Sequence, residues 1–138
     1  MYYIKLIMKN TLFKLLIYFN YFSLVILFIL YLFPGSLVGY FFYGNFGQQP
    51  NLIANPIGTS INHFIYFSYI TVLAMIIRPY VKNIFTDYKT ILFFSFILEI
   101  LHFIIPNRAF ELYDLMANTS GVVAVLLLKK FIKWLNFS

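Results

Sequence analysis

Glu99 and His102 stand three residues apart inside an otherwise apolar stretch. On a helix, such a pair shares one face, where a carboxylate beside an imidazole can carry a proton or orient a polar ligand. Further along, Asp114 and Asn118 form an i,i+4 pair, and Gly121 continues their stripe. Arg108 lies between the two pairs and His63 well before them. A guanidinium is planar and bidentate, suited to a phosphate or carboxylate. Glu99, His102, His63 and Asp114 are also ligand types for a metal. Yet Glu-x-x-His occurs once, where dinuclear bundle sites use it twice, and His-Glu-x-x-His is missing. No metal and no cofactor is therefore expected. A phosphate-cradling Gly-rich loop, a nucleophile elbow and a dinucleotide fingerprint are also lacking. With no cysteine, thiolate and disulfide chemistry drop out.

The elements that must position these residues are membrane spans. Of 138 residues, 62% are hydrophobic and 10% charged, against about 25% charged in a soluble domain. The mean hydropathy of +0.86 points the same way. At about 20 apolar residues per crossing, the chain has room for four or five spans, and none for a catalytic head. The formal charge of +6 has the sign of a nucleic-acid binder, but no basic run is long enough to track a phosphate backbone. The cations flank apolar runs instead, where they set orientation and meet anionic headgroups.

The first span is read as about 15–33, preceded by Lys5, Lys9 and Lys14 and ended by Pro34-Gly35. Its apolar core exceeds the roughly 7–15 residues of a signal peptide, so a permanent span is expected. Asn20 and Ser23 within it are expected to face neighbouring helices. A long uncharged connection, Pro34 to Ser60, contains an aromatic stretch, Leu37 to Tyr43, too short to cross and suited to the interface. The remaining spans are read as 61–77, 88–105 and 112–128, with Pro106 ending the third and Lys129, Lys130 and Lys133 closing the fourth. Nine of the ten Lys and Arg fall on one side, with Arg108 alone on the other. This positive-inside asymmetry predicts an all-α bundle of four transmembrane helices, 1–138 forming one membrane domain with both termini cytoplasmic.

In that topology His63, Glu99, His102, Arg108, Asp114 and Asn118 converge at the outer leaflet. Ionisable groups inside spans face a bundle interior and are paired or functional. Structural roles compete at each position. Glu99 can be a protonated acid tying helices together, and Arg108 can pair with Asp114 or Glu111 across the turn. Asp114 can cap the fourth helix, and Asn118 can bond between helices. Ala117-x-x-x-Gly121 reads as a close-packing notch.

The run Glu99-x-x-His102-x-x-x-Pro106-x-Arg108, followed by Asp114-x-x-x-Asn118-x-x-Gly121, resembles the signature of the VanZ-like family of small bacterial membrane proteins. The resemblance covers about 61–130, with His63-Phe64 similar to the family's His-Phe entry to the second span. Three positions depart from the pattern. His102 stands where Gln is usual, Val125 where a second Gly often follows, and the acidic residue before His63 is missing. The resemblance implies a multi-pass protein of the cell membrane, associated with tolerance to glycopeptide antibiotics of the teicoplanin type.

Three functions are weighed on these residues. In the first, an outward-facing polar cleft binds a cell-envelope ligand: a membrane lipid, a lipid-linked cell-wall intermediate or a glycopeptide. Arg108 holds its anionic group there. In the second, a membrane-embedded enzyme acts on a lipid-linked substrate, with Glu99 or His102 as proton carrier. In the third, an accessory subunit uses the polar cluster only to bind helices together.

Overall fold

The computed structural model describes residues 2–50, 58 and 60–136, with 2–10 as backbone alone. Residues 51–57 and 59 of the long connection lie outside the described residues, as do the side chains of Lys5 and Lys9. Five α-helices follow in order: α1 Tyr2–Leu32, α2 Leu37–Tyr43, α3 Ser60–Ile77, α4 Tyr88–Ile100 and α5 Leu112–Leu135. Short 3-10 turns at Ile84–Thr86 and Leu101–Phe103 precede and follow α4, and no strand occurs among the described residues.

Three helices are long and apolar enough to cross a membrane: Thr11–Leu32 of α1, then α3 and α5. Two of them overrun the apolar runs that announce them. α1 starts near the beginning of the chain rather than at residue 15, and α5 continues through Lys129, Lys130 and Lys133 to Leu135. Lysine is a good helix former, and neither extension contains Gly or Pro. Apolarity ends at those lysines, but the helical backbone has no reason to.

The third apolar run behaves in the opposite way. α4 has 13 residues, about 20 Å at 1.5 Å each, short of the roughly 30 Å of a hydrocarbon core. Beyond it the chain tightens, with Ile104 N–H donating to Leu101 O at 3.0 Å. Pro106 restricts Ile105 and supplies no N–H to the preceding turn, so the last apolar residues leave the α-helix. Asn107 then turns the chain with φ of +58°, a left-handed conformation that Asn tolerates.

The helices pack with their polar side chains inward. Asn20, Ser23, Thr71, Ser95, Glu99, Asp114 and Asn118 are buried, while Leu15, Phe22, Val25, Phe93 and Leu127 are exposed. Ser23 Oγ bonds the backbone of α1 at Phe19 O and reaches Tyr69 of α3 at 2.8 Å. Between them the apolar core is built from Leu24, Leu27, Phe67, Ile70, Leu98 and Val122. A water-soluble fold does not expose so much contiguous aliphatic and aromatic surface.

α5 lies against both α3 and α4. Its contact with α3 depends on Gly121. A Cβ there would stand 2.6 Å from Phe64 O, and Ser68 Oγ donates to Gly121 O at 3.2 Å. The close approach brings the start of α3 against the first turns of α5, where His63 and Asp114 meet.

Candidate functional site

Tyr31, at the end of α1, is the centre of the polar end of the bundle. Its hydroxyl donates to Asn118 Oδ1 of α5 at 2.6 Å and lies 2.6 Å from His63 Nδ1 of α3. The ring stacks on His102 with centroids 5.5 Å apart and meets His63 edge-on at 5.4 Å. Tyr31 O is 3.2 Å from His102 Nε2. A carbonyl only accepts, so this ring nitrogen is the donor. One tyrosine thus ties α1 to three other segments.

Two buried acid–imidazole pairs surround it. Asp114 Oδ2 lies 3.4 Å from His63 Nε2, while Oδ1 accepts a 2.5 Å hydrogen bond from Ser60 Oγ. Glu99 Oε1 is 3.2 Å from His102 Nδ1 and accepts from Glu111 N–H at 3.2 Å. Glu99 is fully buried and Asp114 nearly so. Glu99 Oε2 and Asn118 Nδ2 are buried with no hydrogen-bond partner. Bare polar atoms inside a protein are costly, so this region carries unmet hydrogen-bonding capacity.

His63, Glu99, His102, Arg108, Asp114 and Asn118 therefore lie at one end of the bundle. Two of the competing structural roles are replaced by others. Arg108 forms no ion pair with Asp114 or Glu111; the ion pairs among the described residues are His63–Asp114, Arg78–Asp87 and Glu99–His102. Arg108 donates instead to Leu30 O through Nη2 and to Phe33 O through Nε at 3.3 Å. Leu30 belongs to the last turn of α1, whose carbonyls lack intrahelical donors, and Phe33 directly follows the helix. Two of five guanidinium N–H groups are engaged in this way, leaving three. Asp114 is not the cap of α5 either. Glu111 occupies the N-cap without a side-chain bond, because the Asp114 carboxylate faces Ser60 and His63.

Burial lowers the pKa of Arg108 below that of a free guanidinium, opposed by the fields of Glu99, Tyr31 and Asp114. It stays charged at neutral pH, as arginine does in proteins. Burial also raises the Glu111 carboxyl, helped by the negative fields of Asp114 and Glu99.

Above this floor lies a cavity of about 510 Å³. Leu27, Leu30, Leu37, Val38 and Phe42 supply apolar wall, and Tyr31, His63, His102 and Arg108 supply polar groups. The far wall is α2, the aromatic stretch too short to cross. Ser36 Oγ caps its start by accepting from Gly39 N–H at 2.9 Å, and Gly44 ends it at φ of +67°. Asn62 Nδ2 donates to Pro50 O at 2.8 Å and ties the connection to α3.

Tyr31 and Ser60 are the participants that sequence reasoning misses. Tyr31 is one of twelve tyrosines and sits where interfacial aromatics are common, so nothing local marks it. Ser60 directly precedes the second apolar run, and a hydroxyl there reads as an ordinary helix start.

No family model, no curated protein and no solved structure matches this chain.

Proposed function

We propose that this chain is a VanZ-like, multi-pass protein of the bacterial cell membrane whose cleft binds an amphiphilic envelope ligand from the outer side. On this reading the bundle crosses four times, with α4 and its 3-10 turn making the third crossing and both termini cytoplasmic. Residues Leu101–Phe103 add about 6 Å at 2.0 Å each to the length of α4. Local thinning of the bilayer accommodates the remaining mismatch.

The observation that carries the ligand reading is the make-up of the cavity. Pockets for organic ligands combine apolar walls with a few placed polar groups. Here the wall of Leu27, Leu30, Val38 and Phe42 suits an acyl or prenyl chain, and the polar floor suits a headgroup. Arg108 is held rigid by the α1 carbonyls and keeps three donors for a phosphate or carboxylate. His63 and His102 line the same floor, their rings fixed by Asp114 and Glu99. A phospholipid, a lipid-linked cell-wall intermediate and a lipid-tailed glycopeptide share this chemistry, and binding any of them provides a route to teicoplanin tolerance.

The acid/base enzyme draws on the buried Glu99–His102 pair, with Oε1 and Nδ1 3.2 Å apart. It predicts turnover of a lipid-linked substrate that is abolished by Glu99→Gln. The accessory subunit predicts that the same variant lowers the amount of folded protein instead.

Val38→Trp fills the cavity without touching its floor, and Arg108→Gln removes the cation. Both are to be scored in cells for membrane abundance and teicoplanin susceptibility, and after purification for lipid carried through by mass spectrometry. The cleft reading expects tolerance and bound lipid to fall together at unchanged abundance. Unaltered tolerance and lipid content, with protein levels equal, would contradict it.

A further inference from the structure

We propose that His63, Glu99 and Asp114 form a binding site for one divalent transition-metal ion of the zinc type. A ligand atom from each lies within 4.8 Å of those of the other two, and the three come from α3, α4 and α5. Ligands on three separate helices produce no short-range spacing, so the residue types named from the sequence form no metal-binding motif there.

Three independent features of the hydrogen bonding point to a cation. The first is the tautomer of His63. The Tyr31 hydroxyl has one proton and donates it to Asn118 Oδ1. The Tyr31 oxygen is then an acceptor for His63 Nδ1–H, 2.6 Å away. With a hydrogen on Nδ1, Nε2 meets Asp114 Oδ2 either as the second N–H of an imidazolium or, in the neutral ring, as a lone pair. A metal ion can take the place of that second proton.

The second feature is distance. The separation of 3.4 Å exceeds the roughly 2.7–2.9 Å of a charge-assisted hydrogen bond. It matches the edge of a tetrahedron, about 3.3–3.4 Å, for ligands about 2.0–2.1 Å from zinc. The ligand atom of Glu99, within 4.8 Å of the other two, completes the set.

The third feature is the state of the remaining atoms. Metal-binding carboxylates and imidazoles are held by hydrogen bonds through their non-ligating atoms. Asp114 Oδ1 is held by Ser60, His63 Nδ1 by Tyr31, and Glu99 Oε1 by His102 and the Glu111 amide. Glu99 Oε2 is left buried and without a partner. Two carboxylates this close and this deeply buried are costly unless protonated or neutralised, and a dication neutralises both. His63 lines the cavity, so a fourth ligand can reach the ion from there. One imidazole and two carboxylates contain no thiolate, unlike the usual structural zinc sites, and leave a fourth position open.

The test needs no lipid and no drug, so its failure leaves the ligand reading intact. The full chain, purified in detergent, is stripped with a chelator, exposed to zinc chloride, freed of unbound metal and analysed by inductively coupled plasma mass spectrometry. About one zinc per chain is expected, since the ligand set binds a single ion. His63→Ala and Asp114→Asn, checked for wild-type helicity and elution, should lose it. Ser60→Ala, which touches only the outer hydrogen bond, should weaken affinity by about tenfold or more. Cobalt-loaded wild-type protein should show the visible bands of a four-coordinate ion. Folded wild-type protein that retains no zinc, or folded variants that retain it undiminished, overturns the proposal. Should both variants fail to fold, the cobalt spectrum decides: four-coordinate bands support the site and their absence overturns it.

Discussion

At the end of the bundle that holds Arg78 and Asp87, the two charges meet at 2.7 Å and keep 35% and 34% of their side-chain surface exposed. At the opposite end, Glu99 and His102 keep 0% and 4%, and Asp114 and His63 keep 6% and 12%. The Arg78 end also has its guanidinium 4.3 Å over Tyr88 and Lys129 Nζ 2.8 Å from the Tyr88 hydroxyl. That is a partly exposed, redundant arrangement that fastens a short link, with Arg78 Nη1 buried and unpartnered beside it. The other end places two acids, His102 and an amide in the interior, with His63 half-buried beside the cavity, and leaves some of their atoms bare. Exposed pairs add little to stability, and breaking a buried pair is expensive. A fold needing only fasteners could have used the cheaper kind twice, so the buried end is where a site is sought.

The contrast can be broken by mutation. The largest effect is expected from Asp114→Ala, which leaves His63 and Ser60 facing a buried gap and should cost about 3–5 kcal/mol in detergent unfolding. A loss below 1 kcal/mol would show that the buried end is held no more tightly than the exposed one. Tyr31→Phe comes next. It removes the hydroxyl between His63 and Asn118 while keeping the stacked ring, at a cost of about 1–3 kcal/mol. Equal stability of Tyr31→Phe and wild type would remove Tyr31 from the centre of the cluster.

Asp87→Ala should shift unfolding by at most about 1 kcal/mol, and high salt should shrink the difference further. A larger, salt-insensitive loss would erase the distinction between the two ends. The smallest effect belongs to Glu111→Gln. The Glu111 carboxyl titrates higher in the folded chain because of burial and the nearby Asp114 and Glu99. Wild-type stability contributed by this group therefore falls as pH rises from the unfolded to the folded pKa. The Gln variant should match wild type below that window and be slightly more stable above it, as pH-dependent unfolding would reveal.

Much of this arrangement was legible in the sequence, for a physical reason. In a chain this apolar, each ionisable group inside a span stands out, and helical spacing alone pairs Glu99 with His102 and Asp114 with Asn118. The existence of α1, α3, α4 and α5 was equally legible, but helix length was not. Hydropathy marks where the apolar surface stops, whereas α1 and α5 stop where backbone chemistry allows. Arg108 shows the other limit. A guanidinium's carboxylate partners can be guessed from nearby letters, but its actual partners are main-chain carbonyls of α1, which no residue type records. Tyr31 and the α2 wall were hidden for a related reason, since an aromatic in a membrane chain has a bland explanation wherever it falls.

In the proposed topology, the buried polar end and its cavity open away from the cytoplasm. The chain has no cysteine, so a single introduced thiol reports its own side of the membrane. Ala109, beside Arg108, and Lys82, in the link before α4, are both exposed. In intact cells a membrane-impermeant maleimide should label Ala109→Cys at once and Lys82→Cys only after permeabilisation. Labelling in the reverse order would contradict the account.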